Sequence, residues 1–250
     1  MSSEPVRQLR RERRAAALAR RRVAPRRTTR QPRRIGIGLV SVLALVAGLV
    51  IVAAVAVLGG QSKPVAESVV KAAAPVGVPV VGHVLGNAVA PVTIDLYEDF
   101  QCPACEEWGK SVFPTLVRNE VAAGTVKIDY HGFAFIGAES RDAGRAAWAA
   151  EQQGRFWDMW ATLYANQGLH ENGGSFSRAR LLAMADALGL DAGRFVTDFD
   201  SAAATAFVTD GIAGATRAGV NSTPTLIIAG KALKGGGYAD VSAAIAAAAP

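Results

Sequence analysis

Cys102 and Cys105 are the only cysteines in the 250-residue chain, separated by Pro103 and Ala104. They fall where a short β-branched run gives way to a helical one. On a helix, positions i and i+3 share a face with Cβ atoms about 5–6 Å apart, which allows a strained short-loop disulfide. The first cysteine would stand at the helix N-terminus, where unpaired N–H groups and the macrodipole favour an anion. A thiolate there is stabilised, so its pKa falls and it serves as both nucleophile and leaving group. The second, one turn further in and more shielded, is placed to resolve a mixed disulfide. Residue type and spacing therefore point to thiol–disulfide exchange.

Blander roles fit less well. A structural disulfide gains little from so short a loop, because stabilisation grows with loop length. Zinc usually takes four ligands, and His83, His131 and His170 lack metal-ligand spacing along the chain, so no metal is expected. A c-type haem site needs His after the second cysteine, where this chain has Glu106. No cofactor beyond the cysteine pair is expected.

The elements that must position the pair are legible around it. Val92–Tyr97 alternates and is rich in β-branched residues, so it reads as a strand. Pro103 opens a helical pattern through Trp108, Val112, Leu116 and Val117 that ends near Gly124. Thr125–Tyr130 is a second strand, which makes a βαβ unit with parallel pairing. Residues 139–219 read as mostly helical, with helices expected around 178–188 (capped by Ser177, closed by Gly189) and 200–218. Thr225–Ala229 is then a buried strand and Tyr238–Ala248 a closing helix. The fold class is α/β with a helical insertion at about 139–219. The tryptophans and phenylalanines of the insertion read as core rather than as a cofactor box.

Asp99-Phe100-Gln101-Cys102-Pro103-Ala104-Cys105 and the later Gly219-Val220-Asn221-Ser222-Thr223-Pro224-Thr225 occur in that order. Together they resemble the DsbA-like thioredoxin-fold disulfide oxidoreductases, over roughly residues 78–249. The resemblance implies that the bond before Pro224 is cis and faces the cysteine pair. It also implies that the Thr223 backbone pairs with a bound substrate strand.

Two departures from the family pattern bear on the chemistry. Where many thioredoxin-like enzymes carry a buried acid six residues before the first cysteine, this chain has Leu96. Asp95, Glu98 and Asp99 lie close by, but alternation puts neighbours on opposite faces, so solvated charges are expected for at least two of them. The strongest oxidants of the family have His at the position of Ala104, which can offer neither charge nor hydrogen bond to Cys102. A couple less oxidising than about −120 mV is therefore expected.

Ahead of this domain the sequence changes character. Residues 1–34 hold thirteen arginines against Glu4 and Glu12, a balance of +11. The other 216 residues hold 14 basic against 19 acidic side chains, a balance of −5, so the overall +6 describes neither part. Residues 35–58 then run for 24 positions without a charge. At about 1.5 Å per residue that run crosses a hydrocarbon core of about 30 Å.

The expected organisation is a disordered cytoplasmic tail at 1–34, a transmembrane helix at 35–58, a flexible linker at 59–77 and a thioredoxin-like domain at 78–250. Arginine asymmetry orients the chain, with the N-terminus cytoplasmic and the domain outside the cytoplasm. Taken with the family resemblance, this organisation implies a membrane-anchored bacterial type. The tail reads as a topology and anionic-lipid signal rather than a nucleic-acid site.

The leading expectation is an extracytoplasmic oxidase acting on protein thiols, monomeric, and re-oxidised by a membrane partner that only the family resemblance implies. An isomerase or reductase using the same cysteines is the alternative. A non-enzymatic envelope binding module is the third reading, since fold does not fix function.

Overall fold

The computed structural model describes residues 68–250; the tail, the apolar run and the first part of the expected linker lie outside the described residues. Among the described residues no helix is long and apolar enough to cross a membrane.

Three N-terminal strands form first along the chain: β1 (Val80–Val81), β2 (Val84–Gly86) and β3 (Val92–Glu98). Pro103–Ser111 is α1 and Phe113–Leu116 is α2, followed by a π-helical turn at Val117–Val121. One continuous helix was the sequence expectation here. Pro114 explains the break, because it lacks an N–H and its ring crowds the carbonyl four residues earlier. Strand β4 (Val126–Gly132) closes the βαβ unit, and the register pairs Ile94 with Ile128 in parallel.

The helical insertion consists of α3 (Ala138–Glu151), α4 (Phe156–Ala165), α5 (Arg178–Ala187), α6 (Ala192–Phe199) and α7 (Ala202–Arg217). Asp191 caps α6 and Ser201 caps α7, each accepting a backbone N–H three residues on. The sequence reading had not separated α6. Strands β5 (Thr225–Ile228) and β6 (Lys231–Lys234) form a hairpin before α8 (Tyr238–Ala248). The sheet order is β1-β2-β4-β3-β5-β6, with β3 and β4 the parallel pair.

Alternation divides the two faces of this sheet. On one, Ile94, Leu96, Ile128 and Tyr130 are buried, and Tyr130 meets Phe156 and Trp157 of α4 at 5.1 and 6.5 Å between ring centroids. Phe113 of α2 stacks on Trp157 and tilts against Trp160 at 4.6 Å, so the aromatic residues are core as expected. On the other face Tyr97 packs with Ala215 of α7 and with Val220.

The expected linker at 59–77 departs from expectation in its described part. Val70, Ala72 and Ala74 donate their backbone N–H groups to Asn166 Oδ1, Thr162 Oγ1 and Asp158 Oδ1 at 2.9, 3.2 and 2.9 Å. Alternate residues of an extended chain thus meet side chains spaced four apart on one stripe of α4. Asn166 and Thr162 return hydrogen bonds to the Val70 and Ala72 carbonyls. Ordered contact with the domain therefore begins about eight residues before the expected boundary. The composition hid this because the recognition comes from polar side chains of α4, not from the valine- and alanine-rich strap itself.

Asn166→Ala is expected to lower stability by about 1–2 kcal/mol, since it leaves the Val70 N–H and carbonyl without partners. Urea unfolding measures that loss, and limited proteolysis should cut near Val70 faster than in the wild type. Unchanged cutting would show that the strap is held by other contacts.

Candidate active site

Strand β3 and helix α1 position the cysteines. Cys102 is the N-cap of α1 with extended φ and ψ of −76° and 117°, and Pro103 occupies the first helical turn, where its missing N–H costs nothing. Cys102 is 8% exposed at the surface and Cys105 is fully buried beneath it. Both are free thiols. The Thr223–Pro224 peptide is cis, as the family resemblance implied. It brings the Thr223 carbonyl to Cys102, whose thiol donates to it at 3.4 Å.

Cys102, Pro103 and Thr223 line one open cleft together with Phe135, Ile136 and Ser222. Ala104 is exposed on the first turn of α1, next in the chain to Pro103, and Pro224, which follows Thr223, is buried. All six residues singled out in the sequence thus converge, although Cys102 and Thr223 are 121 positions apart.

The two thiols are driven apart electrostatically. The hydrogen bond from the Cys105 thiol is the largest influence on Cys102 and lowers its pKa. Burial opposes this, while the Thr223 hydroxyl and the backbone N–H groups of Cys105 and Ala104 add to the lowering. The result is about 6, against the model-compound value of 9.0. Cys105 moves the other way, far above the usual thiol range, chiefly because burial penalises its charge. Near neutral pH the pair is one thiolate and one thiol.

Glu98 is the residue that sequence reasoning misjudged. It is fully buried, as is Asp99 at 1% exposure, so two of the three acids are interior where at least two were expected to be solvated. The indole N–H of Trp160 donates to Glu98 Oε2 at 2.8 Å. Burial raises the Glu98 pKa to about 8, with Trp160 and Tyr164 pulling the other way. The charges of Glu98 and both cysteines influence one another. Parity held the available signal: Glu98 shares the inward face with Ile94 and Leu96, two residues closer to Cys102 than the family position.

Asp99 has a different task. Its Oδ1 accepts the Gln101 N–H at 2.8 Å, and its Oδ2 accepts the N–H groups of Phe135 and Ile136 at 3.0 Å. A single carboxylate thus ties the active-site turn to the opposite lip of the cleft, where Phe135 is 48% exposed. Gln167 donates to the Phe100 and Cys102 carbonyls, and Gln101 reaches Ser140 of α3 at 2.8 Å. Gln167 and Ser140 come from the insertion, and no local motif marks them. The histidines also differ from expectation. His170 is exposed, but His83 and His131 both approach Asp129.

A family profile described as thioredoxin matches residues 80–247. Disulfide bond formation protein D of Bacillus subtilis is 33% identical over 87 residues, covering 34% of this chain and 39% of that protein. Na(+)/H(+) antiporter NhaA 1 of Salinispora arenicola is 33% identical over 153 residues, covering 60% of this chain and 22% of that protein. The chain therefore spans less than half the length of these curated relatives. Among solved structures, oxidised BdbD from Bacillus subtilis has a TM-score of 0.62 at 23% identity, covering 70% of this chain and 98% of that one. This likeness is one of fold. A thioredoxin-like oxidoreductase from Silicibacter pomeroyi gives 0.56 at 27% identity, covering 68% and 91%.

Two measurements check the electrostatics. Iodoacetamide alkylation of the reduced protein, followed by mass spectrometry, should titrate Cys102 with a midpoint near pH 6 and leave Cys105 unmodified. Folding raises the Glu98 pKa, so the fold holds a proton that the unfolded chain has lost between about pH 4.5 and about 8. Stability contributed by this group is full below that window and falls as pH rises through it. Glu98→Gln should remove that fall while keeping an acceptor for Trp160. The melting temperature of the variant relative to reduced wild type should therefore increase from about pH 5 to about pH 8. A constant difference would show that Glu98 ionises normally.

Proposed function

The chain belongs to the thioredoxin family, and on that premise we propose that it is a thiol–disulfide oxidoreductase that introduces disulfides into secreted or cell-surface proteins. The observation that carries this reading is the opposite displacement of two thiols three residues apart, one toward the thiolate and one toward the neutral thiol. A structural cysteine pair has no use for that asymmetry. An oxidant does, because a stabilised Cys102 thiolate favours the reduced enzyme and so drives oxidation of the substrate.

The cycle starts from the Cys102–Cys105 disulfide. A substrate thiolate attacks Cys102 Sγ, the only one of the two at the surface, and a substrate–Cys102 bond forms as the Cys102–Cys105 bond breaks. Cys105 leaves with the electron pair and takes a proton, since its buried site does not tolerate a thiolate. Glu98, protonated near neutral pH, supplies that proton. A second substrate thiolate then attacks the substrate sulfur of the mixed disulfide. The substrate departs with its own disulfide and Cys102 leaves as the stabilised thiolate. Two electrons have passed to the enzyme. Thr223, which lines the cleft with Pro103, offers its backbone for pairing with an extended substrate segment.

The setting proposed for this chemistry is outside the cytoplasm. The uncharged run at 35–58 behind thirteen arginines supports a single-pass anchor with a cytoplasmic N-terminus. Protein thiols are the substrates, and a membrane protein of quinone-linked chemistry re-oxidises the pair. The protein acts as a monomer.

Cys102→Ser should abolish insulin reduction and substrate refolding, whereas Cys105→Ser should accumulate mixed disulfides through Cys102. Retention of activity by Cys102→Ser would favour a binding module instead. Thiol trapping in cells should find the pair mainly oxidised; a mainly reduced pair would mark an isomerase or reductase. With Ala104 in place of His, the measured reduction potential should lie below about −120 mV.

A further inference from the structure

The face of the sheet beneath α7 gathers charge that the redox chemistry does not use. Parallel register places Asp95 of β3 directly opposite Asp129 of β4, and Tyr97 opposite His131. Like charges facing one another across a ladder destabilise a sheet. A third carboxylate, Glu151, approaches through His83, whose Nδ1 lies 3.0 Å from Glu151 Oε2. Arg217 and Asp210 of α7 line the same cleft and offset one another in formal charge. The cluster thus has a carboxylate excess with its members held at short range.

We propose that Asp95, Asp129 and His131 form a three-donor site for a divalent transition metal of the zinc class. One donor atom from each of the three lies within 4.8 Å of the others. His131 Nε2 is 3.0 Å from Asp95 Oδ1 and 4.0 Å from Asp129 Oδ2, and His83 Nε2 is 3.5 Å from Asp129 Oδ1. Tetrahedral bonds of about 2.0–2.2 Å set donor atoms roughly 3.3–3.6 Å apart, within the range of these separations.

Two further observations point to a cation. Asp129 Oδ1 is buried without a hydrogen-bond partner. The second is the outer support of the ligands. Glu151 engages His83 Nδ1, which directs Nε2 at Asp129 and holds that carboxylate from behind, as outer partners orient metal-ligating groups. Gly82, at φ +60°, makes room for this, since a Cβ there would lie 2.7 Å from Glu151 Oε1. The His131 ring is fixed by stacking on Tyr97 at 4.8 Å. Imidazole with carboxylate suits zinc, cobalt or manganese better than calcium. Bound there, the ion clips β3 to β4 on the face opposite Glu98, upstream of the turn that carries Cys102. Sequence spacing does not point to these ligands because they come from two strands, at 95 and at 129–131, that only the sheet brings together.

The test uses the full chain in its oxidised form, so that no thiolate competes for metal. Titration with Co²⁺, followed by its visible absorption, should show one saturable equivalent that Zn²⁺ displaces. Zn²⁺ should also raise the melting temperature of the wild type. Asp129→Asn and His131→Gln, checked by circular dichroism, should each weaken binding by about tenfold or more, whereas His170→Gln should not. Absence of saturable binding in the wild type would overturn the proposal, as would undiminished affinity in both folded variants.

Discussion

Two sulfurs close enough to bond must have opposite preferences for charge, and much of the domain serves that requirement. A thiolate at Cys102 is supported by the Cys105 thiol, by Thr223 and by the first turn of α1, whereas burial one turn deeper penalises any charge on Cys105. The difference depends on depth rather than on residue type. It would vanish if α1 were tilted to expose both cysteines or sunk to bury both, so the packing of α1 sets the chemistry.

That packing runs through aromatic rings. Phe113 at the break after α1 holds Trp157 and Trp160, and Trp160 delivers its N–H to Glu98. The strap at 70–74 lies along the same helix, α4, bonded to Asp158, Thr162 and Asn166. One helix therefore connects the incoming chain with the acid beneath the cysteines. Because the rings are close-packed, a displacement of α4 cannot be absorbed locally and must reach Glu98. The insertion is thus part of the active-site scaffold, through Trp160, Gln167 and Ser140, and not an appendage to it.

The sheet separates two electrostatic environments by parity alone. Glu98 faces the dry aromatic side, while Asp95 and Asp129 face the cleft under α7 with His83 and His131. Neighbouring positions of one strand consequently have unrelated partners. Charge counting along the sequence treats Asp95, Glu98 and Asp99 as one acidic group, but the fold assigns them three tasks. Asp95 belongs to the histidine cluster, Glu98 to the cysteine pair, and Asp99 to the backbone of the turn and the cleft lip.

The cysteine motif and the βαβ unit around it were legible because each depends on local chain chemistry, helix entry at Pro103 and alternation in β3 and β4, whereas the Thr223-Pro224 turn was legible only through the family resemblance. Elements governed by more distant contacts were less so. The β5–β6 hairpin turns at Ala229-Gly230, where Ala229 takes a positive φ that its sequence does not advertise. Helix α6 is short and depends on burying Phe195 and Phe199. By itself the sequence determined the spacing of the cysteine pair and the elements that present it, since spacing and element type are properties of neighbouring residues. Only the tertiary structure decided which acid lies under the sulfurs, how far the thiols differ, and that two histidines meet two aspartates. Burial and long-range proximity are created by packing, and no residue carries them alone.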